Sequence, residues 1–121
     1  MKARKPSIAA DWLAPGLLYI SLDRDCYITD AAVASMDTIL SDDREALFHA
    51  KEHEASFTSV ARVDADLCDI SRGNAATRRS ATDRIAVFVN GLGIEDLAAA
   101  VEVYRRAEEK DAGLRLPPQF S

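Results

Sequence analysis

Two aspartates, Asp23 and Asp25, stand one residue apart directly after an apolar run, and Asn90-Gly91-Leu92-Gly93 follows a second apolar run. Acids at that spacing can turn one carboxylate toward a cationic ligand. They can equally serve as turn residues satisfied by nearby backbone N–H groups. Asn90 can hydrogen-bond a carboxamide or a polar substrate, and Gly91 and Gly93 allow close approach to the backbone. The same residues also make a tight turn and permit close helix packing. Arg78, Arg79 and Arg84 offer an anion-binding patch or a contact for an assembly partner, with a solvated basic flank as the plain alternative.

His49 and His53 are four apart and can share a helical face, but no third donor stands at a supporting spacing, so no metal site is expected. Cys26 and Cys68 form neither a C-x-x-C pair nor a metal-ligand set, and both read as free thiols.

These residues need elements to position them. Pro15 and Gly16 read as a turn into a strand over Leu17 to Leu22, apolar on both faces except at Ser21, which predicts an interior parallel strand. Thr29 or Asp30 can cap a short helix through Met36, and Thr38 to Ser41 makes a second strand. Asp42 with Glu45 reads as a reciprocal capping pair, opening a helix with Ala46, Leu47 and Ala50 on one side. Val60, Val63, Leu67 and Ile70 recur at helical intervals around a start at Asp64, and Gly73 can end that run. Ile85 to Val89 is β-rich. A final helix follows, with Ile94, Leu97, Val101 and Tyr104 as its apolar stripe and Gly113 as its stop.

The expected fold is α/β: an incomplete Rossmann-like three-layer fragment with short parallel strands and a strong C-terminal helix. Its strand edges require a partner. At 121 residues and 13.2 kDa the chain fits a single domain over 1–121. A formal charge of -5 argues against a field that gathers nucleic acid. The apolar run 17–22 is far too short to cross a bilayer. With no secretory pattern at the amino end, the expected location is cytoplasmic.

Two longer runs carry a resemblance. The first is Trp12-Leu13-Ala14-Pro15-Gly16 with the strand after it and, beyond a gap, Met36-Asp37-Thr38-Ile39-Leu40-Ser41-Asp42-Asp43-Arg44-Glu45-Ala46-Leu47. The second runs from Arg78-Arg79-Ser80-Ala81-Thr82-Asp83-Arg84 through Ile85 to Ala100, with Asp66-Leu67 and Arg72-Gly73 matching the linker between them. Together they resemble the C-terminal part of the ornithine cyclodeaminase/mu-crystallin family. The resemblance implies a late dinucleotide-domain segment over 7–73 and a returning C-terminal segment over 78–117. It also implies an NAD- or NADP-dependent amino-acid enzyme, with Asp25 nearest the family's catalytic acid, Asp23 beside it, and Asn90, Gly91 and Gly93 at the nicotinamide end.

Where family cyclodeaminases have a glycine–aspartate pair and a longer glycine and lysine loop, this chain has Leu22-Asp23-Arg24-Asp25-Cys26-Tyr27-Ile28-Thr29-Asp30. That shorter loop looks more like relatives that act on N-linked diamino-acid adducts in siderophore assembly. The family's fingerprint glycines, ribose-binding acid and carboxylate-binding basic residues have no match here. The expectation is therefore no cofactor for the isolated chain, with NAD or NADP and an amino-acid substrate held only in a complex. Arg78 and Arg79 are the candidates for substrate contact. The complex would be a homo-oligomer or would include a family-like chain supplying the glycine-rich loop, with neither nucleic acid nor membrane as partner. The alternatives are a non-catalytic accessory protein derived from the same fold, and a small binding enzyme using Asp23, Asp25 and Asn90.

Overall fold

The computed structural model describes residues 5–22, 24, 27–75, 78–114 and 116. It divides into two compact units, Met1–Gly91 and Leu92–Ser121. The first is an α/β layer structure of Rossmann-like type. A 3-10 turn at Ala10–Trp12 leads to β1 (Leu18–Ser21), α1 (Asp30–Ala34), β2 (Thr38–Ser41) and α2 (Arg44–Glu54). Then come β3 (Ala65–Asp66), α3 (Leu67–Ser71) and β4 (Ile85–Phe88). All pairings are parallel in the order β1-β4-β2-β3, so the strand latest in sequence is central.

Side chains alternate across the sheet as pleating requires. Ile39, Ala86 and Phe88 join Ala32 and Val33 of α1 and Leu47 and Ala50 of α2 on one face. Leu40, Ala65, Ile85 and Val87 form the other, with Ile70 of α3 against them. All residues of β2 and β4 are buried. β1 differs from its expected interior position. It is an edge strand, with Leu18 and Ile20 half exposed and Ser21 buried. Its two-sided apolar pattern matches that of a central strand, and strand order is not encoded in the pattern of one strand.

Local chemistry explains the helix starts. Thr29 Oγ1 accepts from Ala32 N at 3.3 Å and caps α1. The cap of α2 is Asp43, whose Oδ1 accepts from Ala46 N at 2.9 Å, rather than Asp42. Asp66 adds a second acceptor for that end, taking Arg44 N at 3.1 Å. The helix expected from Asp64 is confined to 67–71, because Val60 and Val63 turn into the α1/α2 core while 65–66 pair with β2. Helical spacing there came from residues that serve opposite faces of the sheet.

Gly16 shows why the turn before β1 needs glycine. Its φ is +79°, and a Cβ would lie 2.6 Å from Ala81 O; its N–H donates to Thr82 O at 2.8 Å. Gly16→Ala should therefore destabilise the fold by about 2 kcal/mol, measured by urea unfolding. The facing turn is tied by Asp83. Its carboxylate accepts from Ser80 Oγ at 2.6 Å and from the N–H groups of Arg79 and Ser80 at 2.7 and 3.1 Å. Those bonds, the Ser80 hydroxyl foremost, hold its carboxyl below the ordinary range.

The second unit contains α4 (Gly93–Glu109), none of whose residues is buried. Its stripe is open: Leu97 and Val101 are 62% and 58% exposed. Charge pairs along the helix contribute to its stability. Arg105 donates to Glu102 at 3.0 Å, and Arg106 Nε donates to the same carboxylate at 2.6 Å. These bonds, Arg105 first, hold the Glu102 carboxyl below its ordinary range. A depressed value contributes stability above the unfolded pKa, and that contribution is lost as pH falls through the folded pKa. Helical circular dichroism should therefore decline on acidification through the carboxylate range, with a smaller step in Glu102→Gln.

Candidate functional site

In a parallel sheet the polar groups that gather beyond the carboxyl ends of the strands are the first candidates for ligand contact. Here that end carries Ser41 and Asp42 after β2, Asp66 at β3, and Val89 to Gly91 after β4. Asp42 is 6% exposed and organises the cluster. Its Oδ2 accepts from Gly91 N at 2.7 Å, and its Oδ1 accepts from Asp43 N at 2.9 Å and Ser41 Oγ at 3.1 Å. Ser41 is fully buried, so the bonds form away from water. The Asp42–Gly91 bond joins positions 49 apart in sequence and fixes the backbone just past Asn90.

The Asn90 side chain has a buried Oδ1 with no hydrogen-bond partner among the described residues. A buried amide acceptor left unpaired is unfavourable by about 1–3 kcal/mol. Gly91, at φ +85°, has open space where a Cβ would stand, and so does Gly93. The Gly91 N–H is already used by Asp42, and the Asn90 Oδ1 is left unpaired among the described residues.

Arg78 and Arg79 lie at the opposite, amino end of the sheet. The Arg78 guanidinium donates to Asp83 O at 2.7 Å and Gly16 O at 3.1 Å, clamping the segments that enter β4 and β1. Its guanidinium thus has a structural task on backbone carbonyls. Asp23, Asp25 and Cys26 lie outside the described residues. Asp42, the organiser of the site, has only a helix cap's pattern in the sequence. The available signal was the doubled aspartate, since one acid suffices for a cap and the second is free for other work.

The His49 and His53 rings are 4.4 Å apart on α2, and among the described residues no group of three side chains is able to hold a metal. Cys68 is free and exposed. No helix among the described residues is long and apolar enough to cross a membrane.

No family model and no curated protein matches the sequence. Solved structures do match its fold. Thermococcus litoralis Δ1-pyrroline-2-carboxylate reductase, determined with NADH and L-proline, superposes with a TM-score of 0.71 at 22% identity over 96% of this chain and 38% of its own. CmnK superposes with a TM-score of 0.81 at 17% identity, over 100% of this chain and 38% of its own. A probable ornithine cyclodeaminase from Bordetella pertussis Tohama I gives 0.63 at 23% identity, over 95% and 40%. The chain thus has the fold of part of these proteins and spans little more than a third of their length.

Proposed function

We propose that this chain is the C-terminal part or a subunit of an ornithine cyclodeaminase-like NAD(P)-dependent amino-acid enzyme, working with a partner chain. The observation that carries the reading is the lopsided superposition: nearly all of this chain matches 38–40% of three longer proteins. The orphaned Asn90 Oδ1 supports it, because a carboxamide N–H is the donor such an acceptor lacks. Asn90, Gly91 and Gly93 would meet the nicotinamide end of NAD or NADP. Asp25 would handle the substrate amine with Asp23 beside it.

The fit to the cofactor is confined to that end. The sequence has no glycine-rich strand-to-helix loop, and α4 opens with Glu95 and Asp96 in its first turn, which disfavours a phosphate there. The pyrophosphate site therefore belongs to the partner. The cofactor, when bound, would supply the hydride; this chain would orient it through Asn90.

Fluorescence titration with NADH tests the proposal, on the chain alone and after co-expression with a family-like chain carrying the glycine-rich loop. The expected result is no saturable binding alone and saturable binding by the pair, weakened by Asn90→Ala. Micromolar binding by the chain alone overturns it. A stable pair whose NADH affinity ignores Asn90→Ala favours the accessory protein instead.

A further inference from the structure

Asn90 is followed directly by Gly91, in the irregular stretch 89–92 after β4. An asparagine in that setting is thermolabile in an unfolded chain. The backbone nitrogen of the next residue can reach the side-chain carbon Cγ and close a five-membered ring with it, and glycine has no Cβ to crowd the approach. At Gly91 the space where a Cβ would stand is open.

The folded chain holds both reacting groups back. In the cyclic imide the nitrogen stays planar, so Cγ must take the direction that the N–H has in the peptide. That direction is filled: the Gly91 N–H donates to Asp42 Oδ2 at 2.7 Å, and Asp42 is itself buried and held by Asp43 N and Ser41 Oγ. Attack would also push an electron pair onto Asn90 Oδ1, which is buried with no hydrogen-bond partner among the described residues. An oxyanion formed there has no donor aimed at it.

We propose that Asn90–Gly91 is a self-modification site that the Asp42 carboxylate keeps closed. When the Asp42 bond opens, hydroxide takes the Gly91 amide proton, and the freed nitrogen pair forms a bond to Asn90 Cγ. The bond from Cγ to Nδ2 then breaks, and Nδ2 takes a proton and leaves as ammonia. Water opens the imide at one of its two carbonyls: cleavage of the new bond gives aspartate, and cleavage of the original peptide bond gives isoaspartate. Water is the sole co-reactant, and the exposure of Gly91 lets it reach the turn. Both products disfavour the bond that held the site closed, aspartate by adding a like charge near Asp42 and isoaspartate by lengthening the backbone. No cofactor or second chain takes part, so the proposal stands or falls apart from the enzyme reading.

Timed incubation at mildly alkaline pH, followed by trypsin digestion and mass spectrometry, provides the test. Cleavage after Arg84 and Arg105 releases residues 85–105, in which Asn90 is the only carboxamide side chain. Exchange of its NH2 group for OH reads as a mass increase, and chromatography separates aspartate from isoaspartate. The guanidinium-unfolded chain should convert, and the folded wild type should convert more slowly by about tenfold or more. Asp42→Ala should speed conversion of the folded chain by about tenfold, the factor that one hydrogen bond to a charged group represents. The near-isosteric Asp42→Asn, whose single amide oxygen must serve both Gly91 and Asp43, should give a smaller rise, and it decides the matter if alanine prevents folding. Gly16→Ala weakens the fold at the other end of the sheet and should leave the rate at the wild-type value, which separates local opening from global unfolding; circular dichroism verifies that each variant is folded. A folded wild type that converts as fast as the unfolded chain, folded Asp42 variants no faster than wild type, or a Gly16→Ala rate equal to that of Asp42→Ala overturns the proposal.

Discussion

Phe88→Ala should lower the free energy of unfolding by about 3–5 kcal/mol, the largest loss from any single truncation considered. Phe88 is fully buried at the end of the central strand. Its ring meets Phe57 edge-on, with centroids 6.3 Å apart and planes at 82°, and Tyr19 with centroids 6.0 Å apart and planes at 61°. Alanine would remove the shared member of both contacts and leave a cavity between β4 and the α1/α2 layer. Denaturant unfolding at fixed protein concentration measures the effect, since any association of copies shifts apparent stability. Phe88→Leu should recover most of the loss; a Phe88→Ala loss below about 1 kcal/mol would contradict the packed cluster.

Asp42→Ala should be nearly as damaging, at about 3 kcal/mol, because it leaves the buried N–H groups of Gly91 and Asp43 without their acceptor and the Ser41 hydroxyl with Asp43 O alone. The loss should have a local signature. Hydrogen exchange at the Gly91 amide should accelerate more than exchange within β2, since the bond from Asp42 is what holds the turn after β4. If the enzyme reading is right, the same variant should also weaken NADH binding by the assembled pair, through misplacement of Asn90. Uniform acceleration of exchange through the sheet would indicate global destabilisation alone.

Much of this architecture is legible in the sequence, and the losses have specific causes. The β-rich runs at 38–41 and 85–88, the Thr29 cap and the left-handed turn at Gly73 follow from local preferences, and the structure has them. The two-residue strand β3 carries no pattern of its own; it exists because 65–66 fall beside β2. Asp42 and Asp43 are identical letters with different tasks, decided by which of them the chain turns toward Gly91. Arg78 likewise reads as a free cation until Gly16 and Asp83 are brought beside it. Of the candidate site, Asn90 was legible from its glycine neighbours, whereas its support came from a residue 48 positions earlier that only tertiary structure brings near.

The placement of β4 has a consequence for how the protein is made. β1 and β2 never touch as strands; each pairs with β4. During synthesis residues 1–84 emerge before the last strand, and until residues 85–88 follow, they hold two apolar strands with a gap where their common neighbour belongs. Nascent chains in that condition expose unpaired edges and are prone to wrong pairing. Loop closure across more than 40 residues must then occur before the sheet gains most of its contacts, so folding should be slow for a chain of this size. A ribosome stalled before residue 85 would release a product unable to form this sheet, and such fragments should appear as clients of chaperones and proteases rather than as a smaller version of the protein.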